Sequence, residues 1–386
     1  MILKLEGGEN MSHVSGLNTK TIVVGVDVHK YSHTAVAIDC FGQKLGEHEF
    51  GNDYLTQFVS WLDSLGVRAS LLVALEDVNG YGVHIVRQLA DENIPMRYVP
   101  GILTERHRKQ SIHREKSDAM DAWRVAKVIL TNYEETLPAK ESIANQSERM
   151  TATNLGFFLV ERRSLVSEKT ILKNQLHAMI HQYLGDHYME GFAKAFNPKA
   201  IACFLKELKP NKKSIDPTQL PLVKSIHRRL IRLKLLEHQI VEIDEEMRKV
   251  AKESEPVRAL RQNVIGCGHI TACTLLAEVT TIKRFNTKAQ FARYAGIAPI
   301  HKSSGSHNRL YTSPYGNRKV NKALHTIALY QISRTNDLTN PGRLYYEKKL
   351  AEGKTKLWAL RCLKRQLANR VFQTLKHEYQ ARQPSS

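Results

Sequence analysis

"TIVVGVDVHKYSHTAVAID", residues 21–39, holds two short runs rich in Val, Ile and Ala on either side of a polar break. TIVVGVDV (21–28) and HTAVAID (33–39) are β-branched and brief, so both read as strands. KLGEHEF (44–50) then alternates apolar with polar, and Gly42 marks the turn before it. Three neighbouring strands with such short connections form an antiparallel meander.

Outward from this stretch the pattern changes. A helix is expected over 54–65, a strand at LLVALE (71–76), a helix over 82–92, a strand at PMRYVP (95–100), and then the helix that carries REKSDAMDAW (114–123). The order βββαβαβα is that of an RNase H-like fold, in which helices cover a mixed sheet. An RNase H-fold domain is therefore expected over 21–140, preceded by a disordered extension at 1–20 in which Met11 offers an alternative start.

The middle, 145–255, reads as a helical coiled-coil domain. Val223, Ile226, Leu230, Leu233, Leu236, Ile240, Ile243, Met247 and Val250 recur every three or four residues, with a short step near Leu236 where the register is expected to slip. The linker KPNKKSIDP (209–217) contains two prolines and cannot be helical throughout. The stripe suits either an intramolecular hairpin or a dimerisation arm. A mainly α-helical C-terminal domain is expected over 260–380. It opens with NVIGCGHITACTLLAEV (263–279), whose Gly-x-Gly turn and following helix resemble half of a helix-hairpin-helix element able to meet a phosphate.

Charge narrows the function. The 386-residue chain carries a formal +19, and residues 283–386 hold 21 Lys or Arg against four acids, Asp337, Glu347, Glu352 and Glu378. Clustered cations are what a polyanionic backbone selects through counterion release, so nucleic acid is the expected partner. No run of about 18 apolar residues and no secretory signal is visible, so a cytoplasmic protein without a membrane partner is expected. The five cysteines form no CxxC and read as free thiols. His177 and His181, four apart, read as ordinary helix surface rather than metal ligands.

Against this basic background four acids stand out. In the RNase H-like order Asp27 lies near the end of the first strand and Glu76 at the end of the fourth. Asp118 and Asp121 follow on a helix, where three residues turn it by about 300° and project both to nearly the same side. Four carboxylates meeting at one sheet edge repel one another unless cations lie between them. Hard oxygen donors point to Mg²⁺, one ion or a pair, and such a site suits phosphodiester chemistry. Lys30, Arg106, Arg108, Lys109, Arg114 and Lys116 flank the acids and are expected to guide phosphates in.

GVDVHK (25–30), ALEDVNGYG (74–82) and KSDAMDA (116–122) resemble the Asp, Glu, Asp, Asp motifs of the RuvC-like transposases of the IS one-ten insertion-sequence family, relatives of the Piv invertase. GCGHITACTLLAEV, RFNTKAQFARYAGIAP, SSG (303–305) and YGNRKVNKAL resemble that family's C-terminal transposase domain in order and spacing.

The resemblance implies a prokaryotic, nucleoid-associated recombinase that cleaves and rejoins DNA through a serine, keeping the phosphodiester energy in a covalent link. By its place before the glycine that serine is Ser304, with Ser303 as its neighbour. A serine hydroxyl needs activation, which the acids Asp27, Glu76, Asp118 and Asp121 with their Mg²⁺ are expected to provide. Arg309, Arg318, Lys319 and Lys322 then read as phosphate clamps. The resemblance further implies a noncoding bridge RNA that selects donor and target DNA, and a homodimer assembling to a homotetramer. The alternative reading is a RuvC-like metal-dependent endonuclease without a covalent intermediate.

Overall fold

The computed structural model describes residues 17–76, 80–110, 117–189, 196–211, 215–304, 307–312, 315–333 and 339–383. Met11, Arg114 and Lys116, and all but the end of the 1–20 extension, lie outside the described residues, as do the side chains of 301–310. The chain divides into two compact units, Met1–Arg149 with Val279–Thr287, and Met150–Glu278 with Lys288–Ser386.

The first unit holds β1 (Ile22–Val28), β2 (Ser32–Ile38), β3 (Lys44–Gly51), α1 (Leu55–Leu65), β4 (Leu71–Leu75), α2 (Val83–Asp91), β5 (Met96–Tyr98), α3 (Gly101–Gln110), α4 (Asp118–Asn132), β6 (Leu137–Pro138) and α5 (Lys140–Ile143). The six strands lie in the order β3-β2-β1-β4-β5-β6. The meander β1-β2-β3 is antiparallel, β4 runs parallel to β1, β5 parallel to β4, and β6 closes the edge antiparallel to β5. α3 and β6 are additions to the expected order. TERHRKQ shows no apolar face to announce a helix, since only Leu103 of α3 is buried.

Alternation along β1 supplies both faces of the sheet. Val24 and Val26 join Phe58, Leu62, Ile85 and Leu89 of α1 and α2 in one core. Val23 and Ala74 join Val125, Ala126 and Ile129 of α4 in the other. Each of these fully buried larger side chains contributes roughly 1.5–3 kcal/mol. A slip of one residue would exchange the two faces, so packing fixes the register.

α4 is held at both ends. At its start Ser117 caps the helix, its Oγ accepting from Met120 N at 3.2 Å, and Asp118 and Asp121 occupy the first turn, where the helix dipole favours negative charge. Beyond its end Arg97 of β5 donates to Tyr133 O and to Thr136 O and Oγ1 at 2.8–3.1 Å, with its guanidinium over the Tyr133 ring.

The remaining elements are α6 (Gln146–Leu184), α7 (Pro198–Glu207), α8 (Leu220–Glu253), α9 (Glu255–Asn263), α10 (His269–Val279), α11 (Lys288–Tyr294), β7 (Pro299–Ser304), β8 (His307–Thr312), α12 (Arg318–Ile332), α13 (Pro341–Ala351) and α14 (Lys356–Ala381). The apolar stripe of α8 packs within the chain. Val223, Ile226, Leu230, Leu233 and Leu236 meet Leu172, Leu176 and Ile180 of α6 and Phe204 of α7. Arg162 to Asp244 (2.6 Å) and Lys169 to Glu237 (2.9 Å) bridge α6 and α8 alongside.

Two details of the stripe differ from the sequence reading. It stays buried through the short step at Leu233 and Leu236, both members of the core cluster that α8 shares with α6 and α7. At its end Ala251 is buried in place of Val250, since a step of four from Met247 keeps the seam near the 3.5-residue average. His177 and His181 have local partners, Tyr188 and Asp186, each at 2.5 Å. Among the described residues no helix is long and apolar enough to cross a membrane.

Candidate metal centre

The centre begins at a glycine. Gly25 lies in β1 directly beneath α4, and a Cβ there would meet Ala122 O at 2.0 Å and Ala126 N at 2.5 Å. Only a residue without a side chain lets the helix backbone approach the strand so closely. From this contact the two elements run in opposite senses toward the same end. Asp27 is two residues along β1 on the face of Gly25, and Asp118 is one turn back from Ala122.

Glu76 arrives by the same logic. Gly25 pairs with Ala74 and Val26 with Leu75, so Glu76 is one step past the last paired residues, level with Asp27 on the neighbouring parallel strand. Its Oε2 accepts from Thr104 Oγ1 at 2.9 Å. Gly101, at the start of α3, leaves the space its other oxygen uses, for a Cβ at 101 would lie 2.3 Å from Oε1. Asp121 is held from behind by Arg124, a buried guanidinium whose Nη1 donates to Oδ1 at 2.5 Å.

The electrostatics record the crowding. Burial pushes the Asp27 carboxyl above the ordinary carboxylate range, His29 beside it opposes the shift, and Asp121 and Asp118 add to it. Burial likewise raises Glu76, with Thr104 opposing and Asp27, Asp121 and Glu105 adding. Asp27 thus feels the charge of Asp118 and Asp121, and Glu76 that of Asp27 and Asp121. Such a cluster is relieved by a bound cation, and its oxygen donors suit a divalent metal.

His29 was not singled out in the sequence. Its Nε2 lies 3.3 Å from Asp27 Oδ2 and 3.4 Å from Asp118 Oδ1, and one ligand atom from each of the three residues falls within 4.8 Å of the others. The available signal was its spacing, two residues beyond Asp27.

Of the basic residues near the acids, Lys30 stacks its ammonium over Tyr31 at 4.8 Å, and Arg108 and Lys109 pair with Glu105 along α3 at 3.1 and 3.4 Å. Arg106 is exposed on the same helix. These pairings are between exposed groups and are weak enough for a phosphate to displace.

In the second unit the SSG stretch belongs to a two-stranded hairpin. Ser303 pairs with Asn308, and Ser304 with His307 at the closing end. Arg309 follows on β8, its side chain outside the described residues. Arg318 and Lys322 line an open basin of about 390 Å³ together with Tyr315, Asn321 and His325. Lys319 is engaged elsewhere, its Nζ donating to Glu278 Oε1 at 2.6 Å, while Asn317 caps α12 and donates to Glu278 Oε2.

Comparison with known proteins places these features in context. Residues 24–184 match the IS110-type DEDD transposase family model, and residues 259–346 match the model described as transposase IS116/IS110/IS902 family. The transposase for insertion sequence element IS1111A of Coxiella burnetii is 23% identical over 284 residues, 74% of this chain and 70% of that one. The IS110 43.6 kDa protein of Streptomyces coelicolor is 34% identical over 137 residues, 34% of this chain and 33% of that one. The IS116 44.8 kDa protein of Streptomyces clavuligerus is 21% identical over 391 residues, 92% of this chain and 94% of that one.

Proposed function

Because the chain belongs to the IS110 family of transposases, and so acts on DNA in transposition, we propose that it cleaves and rejoins strands with a serine nucleophile supported by an acidic, metal-holding tetrad. The first unit is in this reading an RNase H-like domain, which its strand order β3-β2-β1-β4-β5 supports. Asp27, Glu76, Asp118 and Asp121 hold the cation, Mg²⁺ in the simplest case. When bound, it supplies Lewis acidity to an attacking oxygen and offsets charge on the phosphodiester.

The chain's own residues do the rest. Ser304 supplies the hydroxyl that attacks phosphorus, and the link to the departing DNA oxygen breaks as the serine ester forms, so rejoining needs no outside energy. Lys30, Arg106, Arg108, Lys109, Arg114 and Lys116 steer phosphates toward the acids. Arg309, Arg318 and Lys322 contact the backbone near Ser304, with Lys319 available if it leaves Glu278. Base selection is assigned to a bridge RNA, and strand exchange between two duplexes to a homotetramer built from dimers.

The observation that carries the reading is the meeting of four carboxylates at the C-terminal ends of β1 and β4 and the first turn of α4, with Asp27 and Glu76 raised by burial and by neighbouring acids of the set. One observation favours a second reading. All four acids belong to the first unit, so a metal-dependent nuclease using water would need nothing from the second.

The test is strand cleavage of element-end DNA by the purified chain together with the element's noncoding RNA, with and without divalent metal. The proposal expects cleavage only with metal, and at least a thousandfold loss in Asp118→Ala or Asp121→Ala. Unchanged cleavage in EDTA, or in either variant, contradicts it.

A further inference from the structure

The turn after β1 carries a group for which the four-acid reading has no role. His29 is only half buried, yet its Nε2 is turned onto both Asp27 and Asp118. The backbone beneath it is fixed by a small polar network. His29 N donates to His33 Nδ1 at 3.3 Å, His33 Nε2 donates to Asn52 Oδ1 at 3.0 Å, and Asn52 Nδ2 donates to Lys30 O at 3.0 Å. Because Nδ1 accepts, the buried His33 is neutral with its proton on Nε2, in keeping with burial lowering its pKa. Residues 29 and 30 are thus pinned through the buried His33 and the partly buried Asn52 rather than left to a free turn.

The distances match a ligand set. Neighbouring ligands of an octahedral ion with bonds near 2.1 Å lie about 3 Å apart. The separations of 3.3 and 3.4 Å from Nε2 to the two carboxylate oxygens are close to that edge, whereas a carboxylate pair alone would leave this corner to water.

We infer that His29 is a metal ligand through Nε2, forming with Asp27 and Asp118 a mixed nitrogen and oxygen face that takes Mn²⁺ in preference to Mg²⁺. The inference rests on the proposed metal-holding role of the acids. Both ions favour oxygen donors, but Mg²⁺ dehydrates reluctantly and keeps its waters, so a single imidazole is taken up more readily by Mn²⁺ than by Mg²⁺. His29 therefore adds little to Mg²⁺ binding and much to Mn²⁺ binding.

Mn²⁺ added to the full-length protein serves as its own probe. Pulsed electron paramagnetic resonance is expected to show nitrogen modulation from one imidazole, abolished in His29→Gln. Titration should show Mn²⁺ affinity falling about tenfold in that variant, while Mg²⁺ affinity changes by less than about threefold. An Asp27→Ala, Asp118→Ala double variant should lose the bound Mn²⁺ signal altogether. If Mn²⁺ binds in an acid-dependent way without nitrogen modulation, His29 is not a ligand and the metal role of the acids stands. If no Mn²⁺ binding depends on Asp27 and Asp118, the metal role itself falls and the inference with it.

Discussion

Gly25 and Ala122 stand so close that a Cβ on the strand residue would lie 2.0 Å from the helix carbonyl oxygen. This contact sets the height of α4 over β1, and with it the meeting of Asp118 and Asp121 with Asp27. Gly25→Ala forces the helix away, because backbone cannot yield as a flexible side chain can, and is expected to destabilise the first unit by about 3 kcal/mol or more. Gly46→Ala, whose Cβ would find Trp61 at 3.5 Å and Leu65 at 3.8 Å, both ordinary contacts, should stay within about 1 kcal/mol. Denaturant unfolding of the two variants checks the difference.

Gly101 offers the complementary case. A Cβ there would strike Glu76 Oε1, the far end of a side chain that can swing aside. Gly101→Ala should leave the melting temperature within about 2 °C of the parent while lowering metal-dependent cleavage by about tenfold to a hundredfold, since Glu76 is turned out of position. Paired melting and cleavage assays decide it.

The raised carboxyls of Asp27 and Glu76 predict an unusual pH dependence for the metal-free protein. A folded-state acid with an elevated pKa holds its proton more tightly than in the unfolded chain. Its contribution is present below the unfolded value, about 4, and is lost as pH rises through the folded value. Asp27→Asn should therefore raise the melting temperature in EDTA at pH 8 and change it less at pH 4. Saturating divalent metal should reverse the order at pH 8, because only the parent binds the ion well. Melting curves at the two pH values, with and without metal, measure this.

Much of this arrangement was legible in the sequence, and the gaps have physical causes. The first three strands were visible because β-branched runs buried on two faces leave little else for the chain to do. Asp27 and Glu76 could be placed because side chains alternate along a strand, and Asp118 with Asp121 because a helix repeats every 3.6 residues. His29 gave no such signal, since a histidine just past a strand is common and its partners come from the fold. α3 escaped notice because Leu103 is its one buried residue, and its helix is stabilised by contact at Gly101 and by ion pairs rather than by an apolar stripe. The β7–β8 hairpin carries no strand signal in the sequence, because HKSSGSHNR lacks the β-branched residues that mark strands.

Arg124 yields a further prediction. Its guanidinium is buried and bonded to Asp121, so Arg124→Met removes the group that orients that carboxylate. Breaking such a buried pair is expected to destabilise the protein by about 3 kcal/mol and to weaken divalent metal binding. Calorimetric titration at a temperature where the variant remains folded separates the two effects.

What is joined to DNA during cleavage separates a serine nucleophile from a metal-activated water. Full-length protein with divalent metal, the element's noncoding RNA and a nicked element-end duplex, resolved on a denaturing gel, should give a covalent protein–DNA adduct. That adduct should be absent from Ser304→Ala and from Asp118→Ala. Free DNA ends without an adduct, or an adduct that persists in Ser304→Ala, would contradict the assignment of Ser304 as nucleophile and leave the water-dependent nuclease as the better reading.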